Sequence, residues 1–274
     1  MTETPVLKIP VRADWSFVPT AIEEETRAIY DNLFSAYDEQ RFQESVELFA
    51  MRQKRWGVDP AWFKDKVCLD VGCGQGRFVV ALGRLGVAKV IGVDINEKGM
   101  QAGASRAWAK ELTNIEFLRA SALDLPFLDN SFDYVICSGV ILLCPEPKKG
   151  FDELARVVKP GGRLFLSMYG SGGLKWVLYD LCRLVLKRWV PFHVTEKVFA
   201  FFGVPPNKRY NLLDDVYTPY THRFSEAVIN QWLRDAKFTE TRRVKFERYD
   251  YEKWYNRIWY GEGWIQIIAD KQKA

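Results

Sequence analysis

Histidine is almost missing from this chain of 274 residues: His193 and His222 are the only two. The five cysteines, Cys68, Cys73, Cys137, Cys144 and Cys182, form no C-x-x-C pair, and an odd number cannot all be bridged. So few soft ligands argue against a zinc centre, and no metal is expected. The thiols read as reduced cysteines of a cytoplasmic protein. Long apolar runs are lacking too. The most apolar stretch, residues 174–190, is broken by Lys175, Asp180, Arg183, Lys187 and Arg188, so it does not span a bilayer. The opening residues, MTETPVLKIPVRADW, lack the apolar core of an export signal. Nor is there an excess of one charge: 39 Lys and Arg against 35 Asp and Glu leave +4, too little to announce nucleic acid. With 48% hydrophobic and 27% charged residues, the composition is that of a folded protein.

What is present is a rhythm. Residues 1–64 read as a helical cap segment, with Ile22, Ile29 and Leu33, then Phe42, Val46 and Phe49, at helical spacing. Short apolar runs at 67–71, 90–93, 115–118, 134–137 and 164–166 then alternate with helical stretches at 78–85, 98–112 and 151–158. That alternation predicts an α/β fold, a mostly parallel sheet with helices on both faces. Residues 171–224 break the pattern: the apolar-basic stretch predicts one helix, residues 195–202 a second, and residues 203–211 a Pro/Asn-rich loop. This segment has eight Lys and Arg against four acids, a net charge equal to that of the whole chain. A helix at 225–236 and strands at 239–246 and 264–269 close the chain as an antiparallel hairpin on the sheet edge.

The most informative segment is Val67-Cys-Leu-Asp-Val-Gly-Cys-Gly-Gln-Gly-Arg-Phe78. Gly72, Gly74 and Gly76 sit where a strand turns into a helix, where glycine lets a ligand approach the backbone. A dinucleotide loop would require its third glycine at position 77, and Arg77 stands there. Asp70, at the strand end, repels a diphosphate and suits a ligand with positive groups. A unit-charge repulsion at 4 Å is about 4 kcal/mol at an effective dielectric near 20. Asp94 ends the second strand and is placed to accept ribose hydroxyls.

These residues belong to a longer series. D-V-G-C-G-Q-G, G-V-D-I-N, S-A-L-D-L-P-F-L-D-N-S-F-D-Y-V-I-C-S-G-V and L-A-R-V-V-K-P-G-G-R-L, in that order over residues 65–170, resemble the successive motifs of class I S-adenosylmethionine-dependent methyltransferases. The similarity is greatest to the small-molecule branch that includes quinone-biosynthesis enzymes. The resemblance implies a Rossmann-like, seven-stranded, mostly parallel sheet with the last strand antiparallel, and a methyltransferase domain over 65–274 with an inserted acceptor lid at 171–224. It also implies S-adenosylmethionine as cofactor, S-adenosylhomocysteine as product, and cofactor contacts from Asp70, Gly72, Cys73, Gly74, Asp94, Ile95, Ser121, Ala122, Leu123 and Ser138. Tyr37, in Phe34-Ser-Ala-Tyr-Asp38, resembles a tyrosine that closes over the cofactor in related enzymes, with Tyr30 its competitor. Arg41 or Arg52 could pair with the methionyl carboxylate. Ser121 stands where the family has an acid, and Leu142 and Leu143 stand where it often has a histidine.

Methyl transfer from a sulfonium needs positioning above all, and a base only for a protonated acceptor. His222 is the candidate base, with a loop imidazole packed on Tyr220 as the alternative, and Tyr217 and Tyr220 are candidate acceptor contacts. Trp254, Trp259 and Trp264 close the chain, and Trp176, Trp189, Phe199, Phe201 and Phe202 populate the lid. Such faces suit an apolar or aromatic acceptor, with Arg or Lys for an acidic group on it, and O-methylation is favoured. A basic amphipathic lid could also rest on a membrane surface. A non-catalytic, cofactor-binding partner subunit and an RNA methyltransferase are the competing readings. The oligomeric state stays open.

Overall fold

The computed structural model describes residues 8–35, 39–108, 112–244, 250, 251 and 253–273. Seven strands form one sheet: β1 (Val67–Val71), β2 (Lys89–Asp94), β3 (Ile115–Arg119), β4 (Phe132–Ser138), β5 (Val158–Tyr169), β6 (Phe238–Arg243) and β7 (Trp264–Lys271). Their order is β3-β2-β1-β4-β5-β7-β6, with every pairing parallel except those of β7, which runs against both neighbours. The Rossmann-like sheet with its last strand antiparallel is therefore present. The five central runs read from the sequence are all strands, and β1 has the expected bounds.

Side chains alternate across the sheet with the period of two that a pleated strand imposes. Leu69, Val71, Val93, Val135, Cys137, Leu164 and Leu166 enter one core. Cys68, Val90, Tyr134, Ile136 and Phe165 enter the other. Helices cover both faces: α3 (Arg77–Arg84), α4 (Glu97–Trp108), α5 (Pro147–Val157) and α9 (Glu226–Asp235) belong to the sheet domain. α1 (Ala21–Ser35) and α2 (Glu39–Arg55) form the helical preface. α1 starts with a reciprocal cap: the Glu23 amide donates to Thr20 Oγ1 at 3.2 Å, and the Thr20 amide to the Glu23 carboxylate at 2.8 Å.

Residues 171–224 fold as three helices. α6 (Leu174–Cys182) continues through a π-helical turn (Arg183–Lys187), and α7 (Phe192–Phe201) and α8 (Pro206–Tyr217) follow. α8 corrects the expected loop at 203–211. Pro205 and Pro206 suggest a loop by composition, but Pro206 occupies the first helical turn, where a missing N–H is harmless and its fixed φ already fits. Leu213, Val216 and Tyr217 give the segment a small core of its own, into which Ile29 of α1 also packs. A short helix, α10 (Trp254–Tyr260), separates β6 from β7, which still pair antiparallel as expected.

The two ends of the 171–224 segment are tied to the sheet domain by backbone. At its start the Gly170 amide donates to the Gly263 carbonyl and the Glu262 amide to that of Ser171, and at its end the Phe224 amide donates to the Tyr169 carbonyl. Gly261 has φ +62°, and a Cβ there would stand 2.3 Å from the Ser171 carbonyl oxygen. Gly261→Ala should therefore lower stability by at least about 2 kcal/mol, from left-handed strain plus a forced clash. Denaturant unfolding measures it, and an unchanged midpoint would refute this packing.

Candidate functional site

Chain order reverses between β1 and β4, since β1 is followed in the sheet by β2 on one side and β4 on the other. In such sheets the crevice opens at the carboxyl ends of the strands on either side of the switch. A cavity of about 920 Å³ lies there, lined by Asp70, Asp94 and Ser138 from the ends of β1, β2 and β4. The loop after β1 forms its floor. Gly72 has φ +72°, and a Cβ at that position would come within 2.1 Å of Val140 Cγ2, so only glycine fits the turn. The Gly72 and Cys73 amides both donate to the Val93 carbonyl, locking the loop onto β2.

Two carboxylates set the electrostatics of this end. Asp94 accepts from the Gly74 amide at 2.7 Å on one oxygen and the Asn96 amide at 2.8 Å on the other, and from the Ile95 amide as well. A carboxylate with about four lone-pair sites still has room for a further donor. Asp70 is 2% exposed, and its Oδ2 has no hydrogen-bond partner. Burial pushes its carboxyl up to about 7; Arg77 nearby opposes the shift and Asp94 adds to it. A buried acceptor without a donor is costly, and a cation placed beside it would satisfy it. Arg52 and Arg77 also line the cavity, and burial lowers the Arg52 pKa, with neighbouring Arg77 and Arg55 contributing.

The positions expected to contact a cofactor converge on this cavity with two exceptions. Asp70, Gly72, Cys73, Gly74, Asp94, Ile95, Ser121, Ala122 and Ser138 line it. Leu123 is not in the lining; its amide donates to Ser121 Oγ at 3.1 Å, so it shapes the loop from behind. Tyr37 lies outside the described residues, as does the side chain of Arg41. Tyr30 is on the cavity wall.

The opposite half of the cavity departs from expectation. His222, Tyr217 and Tyr220 are absent from its lining. The His222 ring stacks on Tyr220 at 5.5 Å and 8°, with Phe224 behind it, and burial lowers its pKa. Its backbone amide is bound to the Leu142 carbonyl at 2.8 Å. The Tyr217 hydroxyl donates to the Val190 carbonyl and meets Thr195 Oγ1, deep in the core of the helical segment. Aromatic packing, the ordinary fate of loop and helix aromatics, took all three.

In their place stand Asp214 and Asp215, near the end of α8, two of the four acids of the 171–224 segment. Both line the cavity, and Asp215 is 7% exposed. The Tyr30 hydroxyl bonds Asp214 and the Tyr169 hydroxyl bonds Asp215. Burial, reinforced by Asp215, drives the Asp214 carboxyl far above the usual carboxylate range. Burial also raises Asp215, but Lys175, Arg223 and Arg183 hold it back. Two like charges so close push each other up, Asp214 further than Asp215, so of the two Asp214 holds a proton the more readily. Arg183 fixes the pair by donating to the Asp215 carbonyl at 2.6 Å and the Thr218 carbonyl at 2.9 Å, groups left open at the helix end. Trp176, 5% exposed, adds an indole Nε1–H with no acceptor. Tyr179, Trp259 and Trp264 complete an aromatic wall. The signal available in the sequence was two adjacent acids between Leu213 and Val216, inside an otherwise basic segment.

The cavity thus couples a glycine-floored, carboxylate-edged cradle to an aromatic chamber with its own acid pair. The model of a family described as a methyltransferase domain matches residues 69–166, the stretch that builds the cradle. A demethylmenaquinone methyltransferase of Clavibacter sepedonicus is 35% identical over 176 residues, 62% of this chain and 68% of that protein. One of Bacillus cereus (strain B4264) is 33% identical over 148 residues, 52% of this chain and 61% of that protein. The match therefore spans about three fifths to two thirds of the length of these relatives. Among solved structures, a Thermotoga maritima protein described as a methyltransferase dependent on S-adenosylmethionine, possibly a histamine N-methyltransferase, superposes with TM-score 0.56 at 19% identity. It covers 90% of this chain and 100% of that one, a likeness of fold. With the relatives' identity, the matched domain and the cradle in agreement, the chain belongs to the class I S-adenosylmethionine-dependent methyltransferases.

Proposed function

We propose that the protein transfers a methyl group from S-adenosylmethionine to a hydroxyl oxygen of a small apolar or aromatic molecule held beneath residues 171–224. The observation that carries this reading is the single cavity shared by the Asp70 cradle and the aromatic chamber that contains Asp214 and Asp215. The relatives above are named for demethylmenaquinone, and an acceptor of that type in its reduced, quinol form, which carries the hydroxyl, suits the aromatic wall. An acidic group on the acceptor, as the sequence suggested, would face Asp215, so a neutral hydroxyl is the better partner.

The residues fit the cofactor. Asp70, buried with one oxygen unpartnered, would hold the ammonium of the methionyl end, and Arg52 or Arg77 its carboxylate. Asp94 would accept from the ribose hydroxyls with the lone pairs its backbone bonds leave free. Ile95, Ser121 and Ala122 would flank the base, with Ser121 Oγ giving a neutral bond where an acid would give a stronger one. When bound, the cofactor supplies a methyl group on a sulfonium, a leaving group already activated. The chain then has to orient the acceptor, exclude water and receive a proton. α6 and α8 close the chamber over the strand ends. Asp215 would take the proton of the acceptor hydroxyl, held in place by Tyr169, while Asp214 keeps its own proton against Tyr30. The Trp176 indole N–H would serve the acceptor oxygen as it gains charge.

Three outcomes test this. First, S-adenosylhomocysteine should bind more tightly as pH rises from about 6 to 8, because the ammonium needs an ionised Asp70, whose carboxyl lies near 7. Asp70→Asn should remove that dependence and weaken binding by about 10- to 100-fold in calorimetry. The sign for stability is opposite. A carboxyl raised on folding contributes stability to the ligand-free protein at low pH, and this contribution is lost as pH rises from about 4 towards 7. Second, Asp94→Ala should weaken cofactor binding by roughly 1–3 kcal/mol, and unchanged affinity would remove the ribose assignment. Third, Asp215→Asn should lower methyl transfer by roughly 10²- to 10⁴-fold with cofactor affinity intact. His222→Ala should leave turnover within a few-fold; equal losses in both variants would overturn the choice of base.

A further inference from the structure

The outer surface of the 171–224 segment is unlike a surface built for water. α6 is two-faced. Trp176, Lys175 and Tyr179 turn to the cavity, while Leu181, Leu184 within the π-helical turn and Trp189 past it face outward, the last two 70% and 74% exposed. α7 repeats this with Val198, Phe201 and Phe202, the phenylalanines 85% and 74% exposed. Large apolar side chains at helical spacing on the outside of two successive helices form a docking face.

Charge identifies what the face meets. Every acid of the segment is occupied: Asp180 pairs with Arg223 at 2.8 Å, Glu196 with Arg209 at 3.2 Å, and Asp214 and Asp215 lie in the cavity. Among the described residues, Arg188 and Lys197, both exposed, have no acid partner, and Lys187 reaches Glu25 only at 3.6 Å. An apolar face with a Trp at its border and an unbalanced basic fringe complements the headgroups of an anionic bilayer. A second copy of the chain would bring the same unpaired cations against each other. No helix among the described residues is long and apolar enough to cross a membrane, so contact of this kind stays at the surface.

We propose that the outer faces of α6 and α7 dock on an anionic lipid surface, with the inner face of α6 roofing the chamber that receives an apolar acceptor from it. The role given to the chamber rests on the function proposed above; the docking itself does not. Sedimentation with phosphatidylcholine vesicles, with and without phosphatidylserine, tests it. The protein should bind the vesicles that contain phosphatidylserine. Arg188→Glu with Lys197→Glu should weaken that binding by roughly tenfold or more. Trp189→Ser with Phe201→Ser should weaken it at least about tenfold. Calorimetry with S-adenosylhomocysteine, expected unchanged in every variant, shows that each is folded and keeps a failure of docking apart from a failure of the methyl-transfer reading. Wild-type protein that stays in the supernatant would overturn the proposal. So would a dimer in light scattering that Phe201→Ser dissolves, since the face would then belong to a second copy.

Discussion

Asp70 has been taken out of water without a full set of hydrogen bonds, and most of the sheet domain can be understood as holding it there. Its backbone is pinned on both sides, to β2 and to β4, so the side chain cannot swing out to solvent. The loop that follows turns at once through a glycine that no larger residue could replace, because Val140 fills the space. A carboxylate in that position strains the protein alone and is relieved by a bound cation. In the function proposed above, the same buried acid that weakens the empty fold would favour an amino-acid end over a diphosphate.

The chamber on the other side solves a related problem with different means. Asp214 and Asp215 are also buried acids, but each has a tyrosine hydroxyl, and three cations lie within electrostatic reach of Asp215. In a pair so arranged both carboxyls are pushed above the range of an isolated exposed aspartate, by burial first and, for Asp214, by its neighbour. Its position depends on Arg183 closing the end of α8 and on the small core of Leu213, Val216 and Tyr217. The helical segment is thus folded by its inner side, and its outer side is free to remain apolar.

The parts legible in the sequence are those set by short-range rules. Five strands announced themselves as short apolar runs between helices. The cradle announced itself because strand, glycine turn and acid lie within seven residues, 70 to 76. Asp94 was legible from its place at a strand end. Other readings failed for reasons of context. The loop expected at 203–211 was inferred from proline and asparagine content, yet proline in a first helical turn starts a helix rather than stopping one. His222 attracted a catalytic role because histidine is scarce, but scarcity says nothing about which way a ring faces, and Tyr220 and Phe224 took it as a packing partner. Asp214 and Asp215 looked like two acids offsetting a basic segment, since burial cannot be read from a residue's letter.

The sequence by itself determined the α/β sheet, its order of motifs and the glycine cradle, because alternating side-chain burial and the steric freedom of glycine act over a few neighbouring residues. Tertiary structure alone decided which acids share the chamber, which aromatics wall it and which face the outside. Those choices join α1, β5, α6 and α8, elements as far apart as Tyr30 and Asp215 in the chain. No local pattern records a proximity that only the packing of helices over the sheet creates.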